Sequence, residues 1–277
     1  FLEKHSFFLC FRKGRIMEKI KLIDLQKRKL QKCYLSLILI TENIKIRNEG
    51  CFFDKKLYVL LGTDICGNRQ VIGTFFENTG YNRFWLELFE DLRARGLEFI
   101  LFLVTPHNKN IERCSKIVYN KANIIYSPEE LLIDITRFFT EKSSRKFVRN
   151  LKDLFLAKTL DDHITEMKMF EEQFADNKIV LMLLNKREPE IQKFYEQPYE
   201  IRKFLYPYYA IRDMRRFLRK LNTREPLCTN INEINTYFLE YINSYESSRS
   251  YYRARWLVFL NFLYERYSEE LEDYLNV

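Results

Sequence analysis

Five cations fall within one short segment, "AIRDMRRFLRKL": Arg212, Arg215, Arg216, Arg219 and Lys220, with Asp213 the lone acid among them. Guanidinium groups grip phosphate oxygens in pairs, and each neutralised phosphate releases counterions, so such a cluster is a candidate DNA contact. The same charges on a solvated face serve solubility, and the sequence leaves both readings open. Ile211, Met214, Leu218 and Leu221 recur at helical spacing and define an apolar side opposite the cations. A second basic stretch, residues 12–32, reads as a DNA arm or as a surface helix. His107 follows Pro106 in "LVTPHNKN" without a Cys or acid beside it, which points to surface rather than to metal or proton transfer; His5 and His163 are weaker candidates still. Six cysteines are scattered with no C-x-x-C pair, so they read as reduced thiols, with neither a zinc site nor a disulfide framework.

The elements that must position these groups follow from periodicity. The chain has 277 residues, 47% of them hydrophobic, and a net charge of +8, which suits a folded core and an anionic partner. A basic helix is expected over 15–33. Strands are expected at 34–47, 56–62 and 70–77, with a hairpin turn at 64–68 between the last two. A helix over 82–96 ends at Gly96, where a C-terminal cap belongs, and an apolar strand follows at 97–104. A short helix at 110–120 and a fifth strand at 122–126 complete the mixed part. From residue 127 the pattern is helical: an all-helical block to about 196, one helix near 203–222, and a helical tail containing Trp256. Trp85 and Trp256 read as core anchors. No run reaches the roughly 18 apolar residues of a membrane span.

Several strings in series resemble the Mutator family of DNA transposases in its prokaryotic branch. "KKLYVLLGTDICGNRQVIG" followed by "RFWLELFEDLRARG" is similar to the family's strand, turn and Trp-bearing helix. "RKFVRNLKDLFLAKTLDD" resembles its insertion-domain signature, and "PYEIRKFLYPYYAIRDMRRFLRK" resembles its segment "P.EIRK.IYTTNAIE..NR.LRK". The tail "ARWLVFLNFLYERY" resembles its C-terminal helix. The resemblance implies an α/β fold with a ribonuclease-H-like core, a mixed five-stranded sheet carrying an all-helical insertion and a helical C-terminal tail. It implies domains at 34–126 plus 203–222 for the core, 127–202 for the insertion and 223–277 for the C-terminal helices, after a basic N-terminal helical remnant at 1–33. It also implies strand cleavage and joining in transposition by Mg²⁺ ions held on Asp, Asp and Glu, because hard cations take oxygen ligands and a metal pair stabilises both attacking and leaving oxygens.

This sequence departs from the family at those acids. The first Asp falls on Ile40, the second on Pro106 and the Glu on Arg212. The family's Cys-x-x-His falls on Ser127 and Glu130, and a further Glu on Gly80. Glu42 shares a strand face with Ile40, and Asp213 neighbours Arg212 but is rotated by about 100° around the helix. The expectation is a catalytically inactive copy that needs no cofactor. DNA is its expected partner, with further copies or active transposase subunits as others, and neither a membrane nor a small-molecule substrate is expected. Arg216, Arg219 and Lys220 match family positions and Arg215 does not. The alternatives are a non-catalytic regulator that binds DNA or transposase, and a decayed remnant of an insertion element. The family's upstream site-recognising domain is expected to be missing, and a bacterial cytoplasm is the expected location.

Overall fold

The structure, a computed structural model, describes residues 25, 27–76, 81–136, 154–155, 157–224, 227–248 and 253–275. It is a mixed α/β chain around one five-stranded sheet of order β3-β2-β1-β4-β5. Strands β1 (Cys33–Asn48), β2 (Cys51–Asp64) and β3 (Arg69–Phe76) form an antiparallel meander. Helix α1 (Tyr81–Ala94) leads to β4 (Phe99–Thr105), which pairs in parallel with the first part of β1, from Cys33 to Ile38. Helix α2 (Lys109–Val118) and β5 (Asn123–Tyr126) follow. The chain then runs through α3 (Pro128–Thr136), α4 (Leu160–Gln173), α5 (Lys178–Tyr195), α6 (Tyr199–Leu205), α7 (Tyr208–Leu221), α8 (Ile231–Ser248) and α9 (Arg253–Leu275). The chain divides into two compact units, the second comprising Thr105–His107 and Ile125–Tyr208.

In the first unit the reason for the sheet is plain in its sequence. Residues 33–40 of β1 and all of β4 are buried and apolar apart from Ser36 and Thr105, as central strands covered on both faces require. Leu37, Leu39, Tyr58 and Leu60 share a core with Trp85, Leu88 and Phe89 of α1 and Ile111 of α2. Trp85 meets Tyr58 edge-on, ring centroids 4.7 Å apart. Gly96 ends the α1 region at φ +104, the left-handed conformation that glycine adopts without a Cβ penalty. The hairpin between β2 and β3 is closed by Asp64, whose carboxylate accepts from the backbone N–H of Asn68 at 2.8 Å and from its side-chain amide at 3.0 Å. Burial pushes the Asp64 carboxyl above its ordinary range, and the bonds from Asn68 and Gln70 pull it back in part. Trp256 of α9 seats its indole over Gly67 and donates to the Ile65 carbonyl at 2.8 Å.

Among the described residues, the outer ends of β1 and β2 have no third strand. Pairing with β4 stops at Ile38 and pairing with β3 at Leu57, so 43–48 and 51–56 pair only with each other. This two-stranded ribbon is held along its β1 edge. Asn222 donates to the Asn43 carbonyl and accepts from Lys45 N–H, both at 2.8 Å, and Arg47 N–H donates to the Cys228 carbonyl at 3.1 Å. An edge that water would otherwise compete for is thus paired with side chain and loop.

The elements described in the second unit are helical apart from its short strand segments. Thr159 and Asp162 form a reciprocal capping box at the start of α4. Arg202 of α6 is buried and donates to the carbonyls of Ala157 (2.8 Å), Lys158 (2.9 Å) and Gln197 (3.0 Å), while its guanidinium lies over the Tyr195 ring. Desolvation of that cation is met by three carbonyls and a π-face.

The structure corrects four expectations. The single helix near 203–222 is two, α6 and α7, broken at Tyr206–Pro207. Proline lacks an N–H to continue the ladder and drives the preceding residue out of helical geometry, as the φ −115, ψ 68 of Tyr206 records. The basic helix expected to Cys33 ends earlier, since residues 28–32 are not helical and β1 begins at Cys33; residues 15–24 lie outside the described residues. The ribbon lengthens β2 five residues toward its N-terminus relative to the expected 56–62. Cys66 is disulfide-bonded, against the expectation of six reduced thiols, whereas Cys33, Cys51, Cys114 and Cys228 are free. Residues 137–153 of the expected all-helical block lie outside the described residues.

Candidate nucleic-acid interface

Helix α7 carries the five cations, and its amphipathicity sets which of them face water. Ala210, Ile211, Met214, Leu218 and Leu221 are buried, so the helix lies apolar side down. Arg212, Arg216, Arg219 and Lys220 are exposed, at spacings of four, three and one. Those spacings place all four on one stripe of an α-helix. Arg219 Nε stands 3.8 Å from Glu42, and Arg212 stands 3.8 Å from its neighbour Asp213. Arg216 and Lys220 have no acidic partner within 4 Å among the described residues.

Arg215 does not belong to that stripe. Only 4% of it is exposed, and its guanidinium donates to the Thr41 carbonyl and to Glu42 Oε2, the latter at 3.3 Å. The expectation that all five cations share one outward face fails at this residue. The stripe period put it at the flank, and packing decided that it turns inward to satisfy a strand carbonyl.

The positions expected to mark lost acids divide between the two units. Ile40 and Arg212 lie in the first. Ile40 is 1% exposed in β1 opposite Val59. Arg212 is on α7, whose Arg215 touches the β1 residues Thr41 and Glu42, so the strand and the helix that carry these two positions meet. Pro106 lies in the second unit, one residue past the end of β4. Ser127 and Glu130 are buried in that unit, where Ser127 N–H donates to the Thr105 carbonyl at 2.8 Å, and Gly80 lies outside the described residues. Glu42, the acid nearest Ile40, is held between Arg215 and Arg219. Among the described residues no group of three or more His, Cys, Asp or Glu side chains is gathered to hold a metal ion.

Sequence reasoning missed one constellation. His107 Nδ1 lies 2.5 Å from Glu190 Oε1, and Arg187 grips the same carboxylate at 2.9 and 3.2 Å. The partner comes from α5, far along the chain, and neither "PHNK" nor "KREPE" signals the pairing. His163 is buried on α4 against the Tyr195 ring, with centroids 3.9 Å apart. Burial lowers its pKa below the ordinary 6.5, so the neutral imidazole is favoured.

Comparison with known proteins decides the lineage. The family model described as "Transposase, Mutator family" matches residues 14–230, well over half the chain. The chain belongs to the Mutator family of transposases. Over 197 residues it is 25% identical to the transposase for insertion sequence element ISRM3 of Rhizobium meliloti, covering 70% of this chain and 49% of that protein. It is 20% identical over 228 residues to the transposase for insertion sequence element IS905 of Lactococcus lactis, covering 81% and 57% respectively. The chain spans about half the length of these relatives. Among the described residues of this Mutator-family chain, no helix is long and apolar enough to cross a membrane.

Proposed function

We propose that this chain is a DNA-binding member of the transposase lineage, built on a ribonuclease-H-like core, that does not itself cut or join strands. The sheet order supports the fold reading: an antiparallel meander β1-β2-β3 is extended on the β1 side by a parallel β4 reached through α1, and then by β5. On this reading residues 34–126 and 203–222 form the core, 127–202 a helical insertion, 223–277 the C-terminal helices and 1–33 a basic N-terminal segment.

One observation carries the functional reading: the outward stripe of α7 keeps its cations while the strand beneath it has no carboxylate to spare. The donor chemistry at the family's acid positions does not fit divalent ions. Mg²⁺ takes hard oxygen ligands. Ile40 is a buried hydrocarbon, Pro106 has no side-chain donor, and Arg212 is a fixed cation that repels a metal ion. Glu42 is engaged by two arginines. What remains is phosphate binding, in which Arg212, Arg216, Arg219 and Lys220 neutralise a DNA backbone. Other partners on this reading are further copies of the chain or active transposase subunits on the same DNA.

Two measurements test the proposal. Incubation of the chain with labelled duplex DNA carrying the ends of a Mutator-family element, in Mg²⁺ or Mn²⁺, is expected to leave the DNA intact; a metal-dependent product ends the inactivity claim. Binding of a duplex is expected to weaken with salt, and Arg216→Ala/Arg219→Ala is expected to lower the magnitude of the log–log salt slope by roughly 1.8, about 0.9 per phosphate contact. An unchanged slope removes α7 from the interface.

A further inference from the structure

The ribbon formed by residues 43–48 and 51–56 has two unlike faces. In an antiparallel pair, opposed residues project to the same side, and side chains alternate along each strand. Asn43 pairs with Lys56, Lys45 with Asp54 and Arg47 with Phe52, so these six share one face. All six are exposed, Phe52 at 65%. The other face carries Ile44 and Ile46, which are buried, opposite Lys55 and Phe53, which are exposed, and continues along β1 from Ile40 and Glu42, through which α7 is attached. The ribbon therefore presents an outward face with three cations and one acid, on the side of the strands opposite the attachment of α7.

Those cations are not neutralised by the described residues. Among the described residues, Lys45, Arg47 and Lys56 have no acid within 4 Å, although Asp54 stands opposite Lys45 in register, and Lys56 lies over the Tyr58 ring at 5.8 Å. Lys45 and Arg47 are two residues apart on one strand, a rise of about 6.7 Å, similar to the separation of successive phosphates along one DNA strand. The ribbon extends about 20 Å beyond its last three-stranded pairing, and a two-stranded β-ribbon fits the major groove, which is about 12 Å wide. Its β1 edge is held by Asn222 at Asn43 and Lys45 and, nearer the tip, by the Cys228 carbonyl at Arg47, and the tip closes in a two-residue turn with Glu49 at φ 49 and Gly50 at φ 84. The core of a protein interface is depleted of charge, whereas half of this face is cationic, so a polyanion fits it better than a protein does.

We infer that the outer face of this ribbon is a second duplex-DNA contact, in which Lys45, Arg47 and Lys56 hold phosphates and Phe52 at the far end meets the groove. The inference rests on the DNA-binding reading above and adds a surface separate from the α7 stripe.

The test is fluorescence anisotropy of the full chain with a labelled 30-base-pair duplex between 50 and 200 mM KCl, comparing wild type, Lys45→Gln/Arg47→Gln/Lys56→Gln and Arg216→Ala/Arg219→Ala. The ribbon variant is expected to lose roughly 2.7 from the salt slope, three contacts at about 0.9 each, and at least about tenfold in affinity at 100 mM. The α7 variant loses its own share independently. A ribbon variant that binds like wild type while the α7 variant weakens overturns the ribbon inference and leaves the function intact. Wild type with no salt-dependent binding overturns the DNA reading itself. A ribbon variant with normal DNA binding but an altered sedimentation coefficient makes the face a protein interface and also overturns the inference. Acetylation of lysines in the wild-type chain, read by mass spectrometry, does not depend on how the variants fold. Excess duplex is expected to protect Lys45 and Lys56 at least about threefold relative to Lys121, and equal labelling refutes the contact.

Discussion

Arg215 offers the most direct check on how β1 and α7 are held together. Its guanidinium side chain is 5% exposed, and its Glu42 partner is 17% exposed. Breaking a buried ion pair by removing one member costs about 3–5 kcal/mol when the other charge is stranded. In Glu42→Gln the stranded arginine keeps the Thr41 carbonyl, and the site is not fully dry, so about 2 kcal/mol is expected. In Arg215→Met the volume is largely kept while the Thr41 carbonyl loses this charged donor, again about 2–3 kcal/mol. Among the described residues, Glu42 then retains Arg219 at 3.8 Å. The double variant removes both charges together, so it is expected to cost about 3 kcal/mol, less than the singles combined, with a coupling energy of about 1.5 kcal/mol. Urea unfolding followed by tryptophan fluorescence reports on the right unit, because Trp85 and Trp256 both lie in the first and both are 1% exposed. The midpoint should fall with the slope unchanged. Arg215→Met should leave the salt slope of DNA binding as in wild type. If Glu42→Gln costs under about 0.5 kcal/mol and the pair is additive, the guanidinium is not committed to the strand and the inward assignment of Arg215 is wrong.

Three further outcomes are expected. Gly67→Ala must hold a Cβ at φ +82, 2.6 Å from Trp256 Cδ2, and should cost about 2–3 kcal/mol with a shift in Trp256 emission; a neutral result refutes the seating of that indole. Glu49→Asn relieves a left-handed residue in the ribbon turn and should stabilise by about 0.5–1 kcal/mol, read as slower amide exchange at 43–48, whereas faster exchange contradicts the turn assignment. His163 has a folded pKa below its unfolded 6.5, so the unfolded chain gains protons first and stability falls as pH drops through 6.5. Thermal melts at pH 7.5 and 5.5 should show a smaller acid-induced drop in His163→Gln than in wild type, and equal drops exclude the histidine as the cause.

Local pattern carried much of this protein. Alternation in "ENIKIRN", the apolar run "FILFLVT" and the helical spacing of Ile211, Met214 and Leu218 are nearest-neighbour facts, so strand and helix existence followed from the string. The lineage was legible too, because signature strings survive in order even where single residues have changed. The break at Pro207 is also written in the chain, although the strong helical period on its far side masks it.

The rest depended on residues distant in sequence. Whether an arginine on the edge of an amphipathic stripe faces water or a strand carbonyl depends on what lies across from it, and for Arg215 that is Thr41, 174 positions away. The acid that meets His107, the amide of Asn222 that closes the β1 edge, and the register that sorts Lys45, Arg47 and Lys56 onto one face are likewise products of tertiary pairing. Periodicity tells a side chain which way it leaves its own backbone; only the folded chain supplies the group that it meets there, and charge burial is decided by that meeting.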